Sequence, residues 1–228
     1  MIVKKYLNSA FRKFFQRKSD SFINIFGLSV GMAACVLIAL FIRNEQSFDG
    51  WHAHKDRLYR LNEVQSFAGI APQHVALSMY PMGPAMLQDF PEIEDFARIR
   101  SGPSVLRYGD KQLLLNSLFA DSSFLKIFSF PLISGDPETA LSEPNRVVLT
   151  KETAHRLFGE NDPLGHNVHF EENTFSVSGV MADPPKNSHL QFEALFSMIT
   201  IDSERRRNSW GTNGYNTYLL LKPGVRSE

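Results

Sequence analysis

Seven histidines, a run of three arginines and one cysteine are the residues of this 228-residue chain whose types could do chemistry, and their spacing limits what that chemistry is. His52 and His54 are two apart, so on an extended strand they share a face and could converge on a metal, whereas His166 and His169 would point to opposite faces. No metal site is expected from them. No glycine is followed directly by lysine, and the stretch from Gly159 to Gly165 lacks the lysine that would hold phosphates, so there is no Walker A loop and no ATP hydrolysis is expected here. A GxSxG elbow, an HExxH helix and a CxxC pair are also missing. A membrane-tethered enzyme would have no nucleophile or metal set to use. Arg205, Arg206 and Arg207, followed by Asn208 and Ser209, read as a solvated loop, with a lipid or partner contact as the alternative.

The elements that would position any such residue are organised around one stretch. From Phe22 to Ile42, twenty-one consecutive residues carry no formal charge. As a helix they reach about 31 Å, close to a hydrocarbon core of about 30 Å. Twelve of them are Phe, Ile, Leu or Val, and these favour insertion by roughly 4 to 7 kcal/mol before Asn24, Ser29 and the glycines subtract. A core helix of a soluble protein rarely runs this far without a polar face. Residues 22–42 therefore read as a membrane-spanning helix.

Lys4, Lys5, Arg12, Lys13, Arg17 and Lys18 precede the span against one acid, Asp20. The positive-inside rule puts the N-terminus in the cytoplasm and everything after Ile42 outside it. Removing those six cations and one acid from the totals of 24 and 24 leaves 18 basic and 23 acidic residues from Arg43 onward, a mildly acidic part for which no nucleic-acid partner is expected. Residues 1–21 read as a cytoplasmic amphipathic helix in the membrane interface, with Val3, Leu7, Ala10, Phe11 and Phe14 on one side; an ordinary basic flank is the alternative. Asp20 or Ser21 would cap the spanning helix. A cleaved signal peptide is disfavoured because the apolar run is too long and continues past Ala33 and Ala34. A lipoprotein cleavage before Cys35 would leave seven apolar residues behind the acylated thiol. Gly27 and Gly31 form a GxxxG pair that would let another helix approach, either as a specific dimer face or as looser packing.

The part from residue 43 to residue 228 has no cysteine, so it is held by its core alone, as one domain or as two smaller lobes. It reads as α+β. Strands are expected over Leu58–Phe67, Ile93–Tyr108, Gln112–Phe119, Val147–Leu149, Asn167–Phe170, Thr174–Met181, Gln191–Ile199 and Asn216–Leu221. A broken helix is expected over Ala76–Gln88, a short one over Ser122–Phe128, and one over Lys151–Phe158 capped by Thr150.

Several short motifs follow one another along this part. Phe48, Asp49, His52, Asp56, Arg57, Tyr59 and Arg60 stand just outside the span. Phe124, Phe128, Phe130 and Pro131 precede Gly135, Asp136 and Pro137. Further on come Val147 to Thr150, Phe158, Gly159, Asp162, Pro163, Leu164 and Gly165; then Gly179, Val180, Asp183, Pro184, Pro185, Asn187, Ser188 and His189; then Tyr218, Leu221, Lys222, Pro223 and Gly224. In order and spacing this resembles the first span and periplasmic core domain of MacB/FtsX-type ABC transporter permeases, over nearly the whole chain. The physics of the motifs is mostly architectural: Pro163 and Gly165 would bracket a turn with positive φ, with Leu164 plugging the core, and Pro184 and Pro185 would force an extended exit from a strand. Asp56 and Arg57 would pair or cap where a turn enters a strand.

The resemblance implies a permease half with four spans, a periplasmic domain between the first two, and a separate cytoplasmic ATPase that carries the ATP, so that no cofactor is expected on this chain. Expected partners are membrane lipid, that ATPase, further permease spans or a second permease half, and a periplasmic or outer-membrane protein. Members of the family export substrates or transmit motion of the spans outward, to lipoprotein release, efflux or a cell-wall enzyme. Because only one span precedes Glu228, the chain reads as the N-terminal portion of such a subunit. The competing reading is a single-span periplasmic binding or sensor module signalling through Gly27 and Gly31.

Overall fold

The computed structural model describes residues 18–225, and the chain divides between Phe48 and Asp49 into two compact units. The first contains α1 (Lys18–Gln46), 29 residues long and thus about 43 Å, a turn or more beyond the apolar run at each end. Its apolar side chains are exposed along the whole length, Phe22, Leu28, Leu37 and Phe41 to between 63% and 68%, which is how a lipid-facing helix differs from a core helix. It is long and apolar enough to cross a membrane, and the window that meets that test is not buried at all. Asp20 and Ser21, expected as caps, lie within α1. The interfacial helix expected over residues 1–21 falls, up to residue 17, outside the described residues.

The second unit, from Asp49, is a single domain and not two lobes. Its strands are β1 (Leu58–Arg60), β2 (Glu63–Gln65), β3 (Gln73–Val75), β4 (Ser78–Met79), β5 (Ile93–Tyr108), β6 (Lys111–Ala120), β7 (Leu132–Gly135), β8 (Arg146–Thr150), β9 (Asn167–Phe170), β10 (Asn173–Met181), β11 (Ala194–Ser197) and β12 (Asn213–Leu221). Between them lie α2 (Met82–Asp89), α3 (Phe124–Ile127), α4 (Lys151–Phe158) and α5 (Glu204–Arg207). The strand expected over Leu58–Phe67 is thus two, interrupted at Leu61 and Asn62. Of the helix expected over Ala76–Gln88, Ser78 and Met79 form β4 and only Met82 onward is helical, and the arginine run is helical and not a loop.

Ten strands join in one mixed sheet in which β5, β6, β11, β8, β10 and β9 pair in a closed circuit, β9 returning to β5. Strand alternation divides the apolar residues between two faces: Val147 and Leu149 of β8 point to one, Val148 to the other, and on β11 Phe196 and Leu195 divide in the same way. The first face, inside the circuit, is filled by Leu106, Leu115, Phe175, Val177 and Phe196 and stoppered by Leu157 and Phe158 of α4. Helix α4 starts where Thr150 Oγ1 accepts from the Thr153 amide and ends at Gly159, φ +64, as expected from the sequence. The outer face carries a second core of Phe124, Phe128, Phe130, Phe192, Leu195 and Tyr218, where the rings of Phe124 and Phe130 stack at 5.6 Å. That aromatic floor supports the site described next.

Candidate functional site where the domain begins

Asp49 is the third residue after α1 ends, and it adopts φ +53, a conformation Asp tolerates better than most side chains. Its amide donates to the Asn187 carbonyl at 2.9 Å. One carboxylate oxygen accepts from Ser188 Oγ and from the His189 amide, each at 3.1 Å; the other meets His189 Nδ1 at 2.7 Å. On the far side of the ring, His189 Nε2 meets the Tyr218 hydroxyl at 2.7 Å. The result is an Asp49, His189, Tyr218 line that joins the first residue of the domain to the loop after β10 and to β12.

His52 completes the arrangement from beneath. It is 3% exposed, its ring 5.3 Å from Phe128 and 5.4 Å from Phe130. The Ser129 amide donates to its Nδ1 at 3.1 Å, so the neutral ring carries its proton on Nε2, 3.8 Å from Asp49 Oδ1 and without a hydrogen-bond partner among the described residues. Burial lowers the His52 pKa; Asp49 opposes this and His189 adds to it. Burial also raises the Tyr218 hydroxyl, against the nearby Arg60 guanidinium.

Chemically, this geometry fastens and does not activate. Ser188 Oγ donates to Asp49 and not to a histidine, and the hydroxyl that faces His189 Nε2 among the described residues is that of Tyr218, buried and held neutral. No group of three or more His, Cys, Asp or Glu among the described residues could hold a metal. His54 does not converge with His52; its Nδ1 lies 3.1 Å from Arg57 Nη2.

Of the motif residues singled out in the sequence, the fold brings Asp49, His52, Ser188 and His189 together, with Arg60 and Tyr218 lining the same cleft as Asp49. Pro185 supports them: its carbonyl accepts from the Ser188 amide at 3.0 Å and from Gln191 Nε2 at 2.7 Å. Pro184 precedes it in the extended exit after β10. Arg57 pairs with Glu94 at 2.7 Å and with the Leu221 carbonyl at 2.6 Å, so the expected Asp56–Arg57 pair is replaced, and Asp56 is exposed. Tyr59 sits in β1 opposite Leu219. Pro163 and Gly165 belong to the turn before β9, where Gly165 has φ +74 and donates to Val177; Leu164 is only half-buried, and the core position there is Val168.

Sequence reading missed a second buried polar group. Arg98 makes a two-pronged contact with Asp121 at 2.9 and 2.8 Å, donates to the Tyr80 carbonyl at 2.8 Å, and lies 3.9 Å over the Tyr80 ring. Burial opposes its charge, but the Asp121 carboxylate more than compensates and its pKa rises. Alternation would have shown only that Arg98 shares a strand with apolar neighbours, which a surface residue also does.

Residues 21–228 match the family described as MacB-like periplasmic core domain. Among solved structures, a domain of a protein described as a permease from Porphyromonas gingivalis is similar at 27% identity, with 77% of each chain covered and a TM-score of 0.66. The periplasmic region of MacB from Actinobacillus actinomycetemcomitans shares the fold at 16% identity, a TM-score of 0.55, and 75% of this chain against 77% of that one. The extracellular domain of the noncanonic ABC-type transporter YknZ from Gram-positive bacteria does so at 16% identity and a TM-score of 0.53, over 73% and 83%. A search of the curated proteins gave no match. The chain therefore belongs to the MacB-like periplasmic core domain family, the family of MacB/FtsX-type ABC transporter permeases.

Proposed function

We propose that the chain works as the N-terminal part of an ABC transporter permease subunit, with α1 in the inner membrane, its N-terminus cytoplasmic and the domain from Asp49 in the periplasm. A separate cytoplasmic ATPase supplies ATP-driven motion, which reaches the domain along α1 and serves export or mechanical transmission to a periplasmic or outer-membrane partner. The observation that carries this reading is the fastening of Asp49. A pull on the covalent link after α1 arrives at a residue whose amide and carboxylate are tied to Asn187, Ser188 and His189, and through His189 to β12. Short charge-assisted hydrogen bonds at several points resist such a pull better than a flexible linker would.

Pull-down of the full-length membrane product in mild detergent is expected to recover a nucleotide-binding subunit. Asp49→Asn should keep that subunit bound while weakening nucleotide-dependent protection of the domain from proteolysis. Recovery of no ATPase sinks the transporter reading in favour of an anchored sensor; unchanged nucleotide-dependent protection in the variant sinks the role given to Asp49.

A further inference from the structure

The edge of β5 forks. Residues up to Ile99 pair with β12 and residues from Leu106 pair with β9, which leaves Arg100 to Val105 with no strand on that side among the described pairings. Two adjoining clefts open at this fork, of about 590 and about 480 Å³, sharing Arg100 and Arg206 in their walls. The larger is lined by Arg205, Ser203, Ser209, Thr212 and Asn213 with the two shared arginines, and by Tyr80 and Tyr215. The smaller has Phe119, Phe170, Ile201 and Pro103 in its walls, the two rings 6.3 Å apart.

Charge in the clefts is one-sided. Arg100 and Arg205 make no ion pair among the described residues, and Arg206 is held by the Ile201 carbonyl through one nitrogen. Glu171 is the one acid in either wall. Asp202, nearby, is engaged by Tyr80 and Arg207 and does not offset the arginines. An added Cβ on Gly102 meets nothing within 4 Å, so the floor of the smaller cleft is open space. Two residues along the same face, Ser104 is 2% exposed and its hydroxyl has no hydrogen-bond partner among the described residues.

We propose that this fork binds an organic anion, a phosphate or carboxylate seated on Arg100, Arg205 and the hydroxyl-rich wall, with its apolar body against the wall that Phe119 and Phe170 form together. Guanidinium forks match both oxyanions, and aromatic walls select a ligand with an apolar body over a free ion. The inference stands apart from coupling to an ATPase. Phosphate chemistry of this kind is offered by a lipid headgroup and by a soluble aromatic phosphate alike, and the test separates them.

The full chain in phosphatidylcholine nanodiscs is titrated calorimetrically with dihexanoyl phosphatidic acid, phenyl phosphate and inorganic phosphate. One of the organic phosphates is expected to bind at least about tenfold more tightly than inorganic phosphate, and the tighter of the two identifies the source. Arg100→Gln and Arg205→Gln, both at exposed side chains, should each weaken it about tenfold or more. Gly102→Leu, whose Cβ meets nothing within 4 Å, should reduce the organic ligand to the level of inorganic phosphate while leaving the latter unchanged. No organic binding, organic binding no tighter than inorganic phosphate, or variants that bind as the parent does while melting at its temperature, would overturn the proposal.

Discussion

At Asp49 one carboxylate holds together residues 139 and 140 positions away in the chain, and its left-handed backbone lets it reach them. Asp49→Ala removes the acceptor for three bonds and places alanine at positive φ; a loss of about 2 to 4 kcal/mol in urea denaturation is expected, with Asn costing less because it tolerates that φ. His52 gives the same neighbourhood a pH dependence. Its pKa is lowered in the folded state from the ordinary 6.5, so the unfolded chain binds more protons below that value. Stability should be full above about pH 6.5 and fall as the pH drops below it, and His52→Gln should flatten that slope in denaturation midpoints. Arg98 and Asp121, 10% and 13% exposed, form a different kind of pair. Arg98→Ala leaves a carboxylate buried without its partner and should cost about 3 to 5 kcal/mol, whereas surface pairs such as Arg146 with Glu143 should be nearly neutral to remove.

At the scale of elements, two glycine positions separate packing from pairing. Gly135 ends β7 at φ +96, where a Cβ would lie 2.5 Å from the Ser178 carbonyl oxygen and 2.8 Å from the Gly179 Cα. Gly135→Ala should therefore loosen β7 from β10 and cost more than about 1 kcal/mol, read as a lower melting temperature with faster amide exchange in both strands. Gly27 and Gly31 of α1 have nothing within 4 Å of an added Cβ, so the small-residue face of the helix is open. Gly27→Ile with Gly31→Ile should reduce crosslinking of α1 to a neighbouring span without preventing insertion; crosslinking as strong as the parent's would make that face incidental.

At the scale of the whole molecule, the closed circuit β5, β6, β11, β8, β10, β9 makes the domain one cooperative body, as the proposed transmission of motion would require. Denaturation of the domain is expected as one transition by circular dichroism and by tryptophan fluorescence alike; two separated transitions would restore the two-lobe reading. The charge asymmetry about α1 predicts that alkaline phosphatase fused after residue 225 is active and that green fluorescent protein fused there is dark.

The long elements were legible because a local pattern specifies them. The apolar run of α1, the Gly109 hairpin of β5 and β6, and the Thr150 cap of α4 each depend on residues close in sequence. Strands of two to four residues such as β3, β4 and β7 carry too little periodicity to be seen, and exist because neighbouring strands complete their hydrogen bonds. Motif residues could be named from the sequence, but which of them meet could not: Asp49 finding Ser188 and His189, Arg57 choosing Glu94 over Asp56, and the fork that gathers Arg100 with Arg205 all result from long-range strand pairing. Composition and short-range spacing determined an apolar span joined to an α+β domain, with the family indicated by the resemblance of its motifs; which polar groups lose water together was decided only when the sheet closed.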